Sequence, residues 1–78
     1  GYLGVYSTKM APLKITFSEK RGALNVSIVG YPNFSVESIG NNTFESKQAG
    51  LKFEFNDSLN GFTMLTSEGQ KVPFTKDK

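Results

Sequence analysis

The chain is short and weakly basic, and it lacks two residue types that many enzymes use for catalysis, cysteine and histidine. Its 78 residues suffice for one small domain, and they include no Cys and no His. Disulfides, thiolate or imidazole metal sites and histidine general bases are therefore excluded. The net charge of +2 is spread along the chain, whereas nucleic-acid binders carry a concentrated basic stripe. No apolar run approaches the ~20 residues of a membrane-spanning helix.

Apolar and polar residues alternate along most of the chain. In segments 13–17, 24–28 and 51–55 every second side chain is apolar, as in a strand with one buried face. Turn-forming residues separate the runs, at Glu19–Gly22, Gly40–Asn41, Asp57–Gly61 with Asn60-Gly61 as its strongest signal, and Ser67–Gly69. The pattern predicts eight short strands, over residues 2–7, 12–18, 23–29, 34–39, 42–47, 50–56, 61–66 and 70–75.

Eight short strands joined by hairpins predict an all-β fold, a small antiparallel up-and-down barrel spanning residues 1–78 as one domain. We expect this domain to be a piece of a larger protein, because it starts without an initiator methionine. Pro73 predicts an edge or a bulge in the last strand.

The side chains predicted to face inward are bulky, and an eight-stranded barrel is just wide enough to be filled by such side chains. We therefore expect them to fill the lumen, with any cavity small or confined to one mouth. They are Tyr6, Leu13, Ile15, Phe17, Leu24, Val26, Ile28, Phe44, Leu51, Phe53, Phe55, Phe62, Met64, Val72 and Phe74.

The sequence offers no supported catalytic centre. No serine lies in a Gly-x-Ser-x-Gly elbow, and none has a histidine partner. Glu37 and Glu45 fall on neighbouring predicted strands, where they either form a carboxylate pair or lie on the outer face beside Lys47 and Lys52. Segment 56–60 has oxygen ligands but lacks the spacing of a calcium loop. We predict no catalytic residues, no metal, no cofactor and no enzyme activity.

The most distinctive local segment is Gly30–Phe34. Its residues Tyr31, Asn33 and Phe34 are candidates for binding, with Tyr31 and Phe34 forming a lip at the mouth of the barrel. The alternative is a rigid turn in which Phe34 plugs the core and Tyr31 covers the barrel end.

Ordered motifs along nearly the whole chain resemble one bacterial domain family. They are Tyr2-x-Gly4-x-Tyr6, Leu13–Thr16, Gly22–Val26, Gly30-x-Pro32-x-Phe34, Phe44, Leu51–Phe55 and Gly69–Phe74. This series resembles the small domain of unknown function found C-terminal to β-lactamase-related serine hydrolases and to some peptidases in bacteria. Tyr31 stands where relatives commonly carry Gln, and Lys71 where they carry Glu.

The resemblance implies a miniature lipocalin-like barrel with an accessory, noncatalytic role. The domain would pack on or assist an adjacent hydrolase domain in a periplasmic or extracellular protein of the cell envelope. A second hypothesis is a module that binds a small apolar ligand or a peptide at the barrel mouth. We expect neither nucleic acid nor a membrane span. The family has no agreed catalytic residues, so none is transferred to this chain.

Overall fold

The fold is all-β. The computed structural model describes residues 1–77 and contains eight strands: β1 (Gly4–Ser7), β2 (Lys14–Lys20), β3 (Ala23–Ile28), β4 (Phe34–Gly40), β5 (Thr43–Ser46), β6 (Leu51–Phe55), β7 (Gly61–Thr66) and β8 (Lys71–Lys76). Every predicted strand is present, and its ends lie within two residues of the prediction. Among the described residues no helix could cross a membrane.

The strands form a closed up-and-down barrel. Each strand pairs with its successor in antiparallel register, and β8 returns to pair with β1. The predicted architecture is therefore confirmed. In this topology the connections after odd-numbered strands share one end of the barrel, and those after even-numbered strands share the other.

Two of the hairpin turns use consecutive left-handed residues. Arg21 and Gly22 have φ values of 55° and 80°, and Asn41 and Asn42 have 49° and 58°. Two successive positive φ angles are typical of the type I′ turn, whose twist matches that of the flanking strands. The β4–β5 turn was predicted at Gly40–Asn41 and lies one residue later, because Gly40 instead takes part in a register shift at the end of β4.

Gly61 has a role different from the predicted one. The left-handed residue of the β6–β7 turn is Leu59, with φ 58°, and Gly61 is the first residue of β7. A Cβ at Gly61 would lie 2.6 Å from the carbonyl oxygen of Phe74. The glycine therefore permits a close approach of β7 and β8 rather than a turn.

Aromatic rings fill the lumen. Phe17 packs edge-to-face on Phe53 and Phe62, with ring centroids 5.3 and 5.4 Å apart, and Phe62 stacks on Phe74 at 5.0 Å. The buried apolar residues are Tyr6, Ile15, Phe17, Val26, Val36, Phe44, Phe53, Phe55, Phe62 and Phe74. Every residue predicted to face inward is buried or packs partly buried against this core, and Val36 is a buried residue that the prediction omitted.

The N-terminal segment closes one end of the barrel. The ring of Tyr2 packs on Phe44 and Phe55, with centroids 4.7 and 4.9 Å apart. Its hydroxyl donates to Asn42 Oδ1 at 2.6 Å, and the Tyr6 hydroxyl donates to the Tyr2 carbonyl at 2.8 Å. We call this the closed end; it also carries the turns after β2, β4 and β6.

The seam between β8 and β1 is the shortest pairing in the barrel. Only Thr75 and Lys76 have partners on β1. Pro73 lies beyond them, in a part of β8 that has no partner on β1, so its missing N–H costs no hydrogen bond to β1. Of the two predicted roles of Pro73 the unpaired edge is therefore confirmed, since the register of β8 with β7 contains no bulge. Asp77 extends the seam: its N–H donates to the Val5 carbonyl at 2.7 Å, and its carboxylate accepts bonds from the Ser7 hydroxyl and the Lys14 ammonium.

Candidate binding site at the open end of the barrel

The end opposite Tyr2 contains a cavity. Four connections meet there, at residues 8–13, 29–33, 47–50 and 67–70. The cavity has a volume of about 520 Å³ and opens to solvent. We call it the mouth; its lining residues are Leu13, Ile28, Tyr31, Pro32, Asn33, Phe34, Gln48, Ala49, Leu51 and Met64.

The walls of the mouth are apolar side chains at the ends of strands. Leu13, Ile28, Leu51 and Met64 are only partly buried and pack on the core. Along three strands the next inward-facing residue is fully or almost fully buried: Ile15 after Leu13, Phe53 after Leu51, and Phe62 before Met64. These four side chains form the outermost layer of the core at this end. Because no further layer covers them, they are partly exposed and form the walls of the cavity.

The β3–β4 connection forms one side of the mouth. The lip comprises this connection and the first residue of β4, residues 29–34. It begins with a tight turn, in which Gly30 has φ 90° and the Tyr31 N–H donates to the Ile28 carbonyl at 3.0 Å. Pro32 follows, and its fixed φ stiffens the lip.

The structure brings the three predicted site residues together, since Tyr31, Asn33 and Phe34 all line the mouth. Phe34 is partly buried against the core, as the alternative interpretation also required. Tyr31, by contrast, is 69% exposed. It lines the cavity while most of its surface is open to solvent, so it is accessible to a ligand. Binding by these residues stays a prediction.

Other lining residues were assigned by sequence to a different role or were not singled out. Leu13, Ile28, Leu51 and Met64 were predicted to fill the lumen, and they do so only in part. Gln48 and Ala49, from the β5–β6 connection, carry no local motif. Their position could have been predicted only from the topology, because in an up-and-down barrel the β5–β6 connection lies at the same end as the lip.

Two amides line the mouth, whereas the charged groups at this end lie in or beside the four connections and not in the lining of the cavity. Asn33 and Gln48 are exposed amides that both donate and accept hydrogen bonds. Lys9 and Lys47 lie in two of the four connections, and Glu68 is the acidic residue among them. Lys71 begins β8 beside the fourth connection and is also exposed. The connections around the mouth therefore carry more basic than acidic side chains.

The titratable groups with shifted pKa values are not among the residues that line the mouth. Burial raises the pKa of the Tyr6 hydroxyl, which bonds to the closed-end segment. The hydrogen bond from Lys14 is the main cause that lowers the pKa of Asp77, and the bond from Ser7 adds to it. Both arrangements hold the barrel together and present no reacting group to the cavity.

The remaining candidates for chemistry form no centre within residues 1–77. Glu37 and Glu45 lie directly opposite each other on the outer face of β4 and β5. Lys52 lies directly opposite Glu45, so the predicted outer-face position beside a lysine is confirmed for Glu45. The contact is not an ion pair, because among the described residues the only ion pair is Lys14–Asp77.

The turn over residues 56–60 is held by its own side chains. The Asn56 Oδ1 accepts the Asn60 N–H at 3.1 Å, and the Asn56 amide donates to the Asn60 side-chain oxygen at 2.7 Å. No group of three or more potential metal ligands lies together in the part of the chain that the structure describes.

No family model, curated protein or solved structure matches the chain. The resemblance to the domain that follows β-lactamase-related hydrolases thus rests on the sequence motifs alone.

Proposed function

We propose that this chain is a noncatalytic binding module that takes a small apolar ligand in the mouth of its barrel. The observation that carries this proposal is the cavity of about 520 Å³ with apolar walls and a few amides at its rim. Ligand sites in proteins are typically concave, of roughly 300–1,000 Å³, mostly apolar, and provided with a small number of polar groups.

The lip supports this proposal because its backbone is restrained. The Tyr31 N–H donates to the Ile28 carbonyl and Pro32 has a fixed φ, so less loop entropy is lost on binding. A tyrosine at a rim has an apolar ring for contact and a hydroxyl that stays in water. Because the mouth is open on one side, we expect affinities in the micromolar to millimolar range.

The test is a titration of the isotope-labelled chain with small apolar ligands and, separately, with short apolar peptides, followed by amide chemical shifts. We expect shifts at the lip and at Gln48–Leu51, and none at the closed-end turns Arg21–Gly22 and Asn41–Asn42. Ligand-induced shifts confined to the closed end or the outer face would rule out the mouth. If only the peptides cause shifts at the lip, the ligand of the mouth is a peptide side chain and not a small molecule.

A pair of variants in the lip sharpens the test. Tyr31→Gln removes a ring that lines the cavity, and it should weaken binding several-fold. Val29→Gln changes a neighbouring side chain that is 85% exposed and does not line the cavity, and it should leave the affinity unchanged. Equal effects of the two substitutions would contradict the assigned site.

The accessory role beside a hydrolase domain, and the location in the bacterial envelope, rest on the family resemblance alone and stay predictions. The sequence of the full-length gene product is their test. A hydrolase domain upstream of this barrel would support them, and a chain with no hydrolase domain would contradict them.

A further inference from the structure

We infer that the ligand of the mouth is a soluble single-chain amphiphile with an anionic head, such as a medium-chain alkanoate. The inference rests on the proposed function and specifies its ligand class. It follows from the way apolar and charged groups are distributed between the inside of the mouth and its rim.

The inner part of the mouth suits an alkyl tail. Its walls are Leu13, Ile28, Leu51 and Met64, which offer no charge and no side-chain hydrogen-bond donor. Below them the core is closed by fully or almost fully buried rings such as Phe53 and Phe62. A tail can therefore enter only as far as this layer, and a polar head attached to it must remain at the rim.

The rim suits an anion better than a cation. Three exposed lysines, Lys9, Lys47 and Lys71, lie in or beside the connections around the mouth, against one carboxylate, Glu68. Lys14, the other nearby cation, is engaged with Asp77. The lysine side chains are long and flexible, so they can follow a head group at the rim while their charges stay in water.

The two rim amides complete the head site. The side-chain N–H groups of Asn33 and Gln48 can donate to a carboxylate, and their carbonyls can accept from a hydroxyl. They therefore accommodate an anionic or a neutral head. The preference for an anion must come from the lysines, which makes the two contributions separable by experiment.

The first experiment compares heads and tails on the same chain by calorimetry and amide shifts, with every amphiphile below its aggregation concentration. Octanoate should bind more tightly than octanol, and octanol more tightly than octylammonium. From hexanoate to decanoate the affinity should rise by about fourfold per added methylene while the tail is being buried. The preference for octanoate over octanol should shrink at high salt, since the lysines are exposed.

The second experiment uses variants with matched controls. Each of Lys9→Gln, Lys47→Gln and Lys71→Gln should weaken octanoate binding by roughly 1.5- to 5-fold and leave octanol binding unchanged. Lys20→Gln removes an exposed lysine at the closed end, and it should change neither the octanoate affinity nor the octanol affinity. Ala49→Leu adds bulk to the wall of the mouth and should weaken decanoate more than hexanoate.

The outcomes separate this inference from the proposed function. If octanol binds at the mouth as tightly as octanoate, the anionic head is wrong and the apolar ligand site stands. If neither the amphiphiles nor any other apolar ligand changes the amide shifts of the lip, both the anionic head and the apolar ligand site are wrong. Binding to anionic phospholipid vesicles without binding of soluble octanoate would also overturn the inference, because the partner would then be a lipid surface.

Discussion

Replacing Phe53 with Ala should remove most of the stability of the barrel. Phe53 is 0% exposed, and its ring packs edge-to-face on Phe17 and Phe62 at 5.3 and 5.5 Å. Phe-to-Ala changes in well-packed cores cost about 3–5 kcal/mol, through lost transfer energy and the cavity that remains. Because the ring is enclosed by other rings on rigid strands, we expect a cost in the upper half of that range.

This loss is large compared with what a domain of this size holds. At 0.05–0.15 kcal/mol per residue, the 78-residue chain should unfold with roughly 4–12 kcal/mol. A loss of 1 kcal/mol lowers the melting temperature of such a domain by about 4–8 °C, so a loss of about 4 kcal/mol or more in Phe53→Ala should lower it by at least about 16 °C. No disulfide can compensate, because the chain has no Cys, and the residues that the structure describes hold no cluster of metal ligands.

The assay is thermal and urea unfolding followed by circular dichroism, with Tyr31→Ala as the matched control. Tyr31 is an aromatic residue of the same barrel but is 69% exposed, so its removal should cost less than about 0.5 kcal/mol. A Phe53→Ala protein that melts within a few degrees of the wild type, or as close to it as Tyr31→Ala does, would refute the inward packing of β6.

Three further predictions concern stability and activity. Gly61→Ala should lower the melting temperature, measured by circular dichroism, because its Cβ would meet the backbone oxygen of Phe74 at 2.6 Å; an unchanged melting temperature would contradict the close strand contact. The pKa of Asp77 is lowered in the folded chain by its bonds from Lys14 and Ser7. The Asp77 carboxylate therefore contributes its full stabilisation above the ordinary pKa of aspartate, and this contribution is lost as the pH falls through the lower pKa of the folded chain. Between pH 6 and pH 2, the free energy of unfolding measured in urea should fall more steeply for the wild type than for Asp77→Asn. Parallel curves for the two proteins would contradict this role of Asp77. The purified chain should not hydrolyse β-lactam, ester or peptide substrates; turnover that disappears on changing one serine would overturn the noncatalytic assignment.

The strands were readable from sequence because each one carries its information locally. In β6 the alternation of Leu51, Phe53 and Phe55 with Lys52 and Glu54 defines both the strand and its buried face. The same reasoning located the lip, because its Gly and Pro residues mark a turn between two such runs. Strand ends were less certain, since they depend on hydrogen bonds to neighbouring strands that a local pattern does not contain.

Features that depend on contacts between distant segments were not readable in this way. Gly61 looked like a turn residue beside Asn60, and only the approach of β8 gives it its role. Val36 lies in a strand with a weak alternation, so its burial was missed. The depth of the mouth likewise depends on how far Leu13 and Met64 remain uncovered, which is decided by the packing of the whole barrel.

The short seam between β1 and β8 has a consequence for how the barrel forms and opens. The other seven pairings join strands that follow each other in the chain, so each requires only a short loop to close. The seam instead unites residues such as Ser7 and Asp77, which are 70 positions apart, and closing it costs the most chain entropy for the fewest hydrogen bonds. We therefore expect closure to be the last step of folding. The same seam should be the first to separate, so the amides that bridge β1 and β8 should exchange with solvent faster than those between β6 and β7.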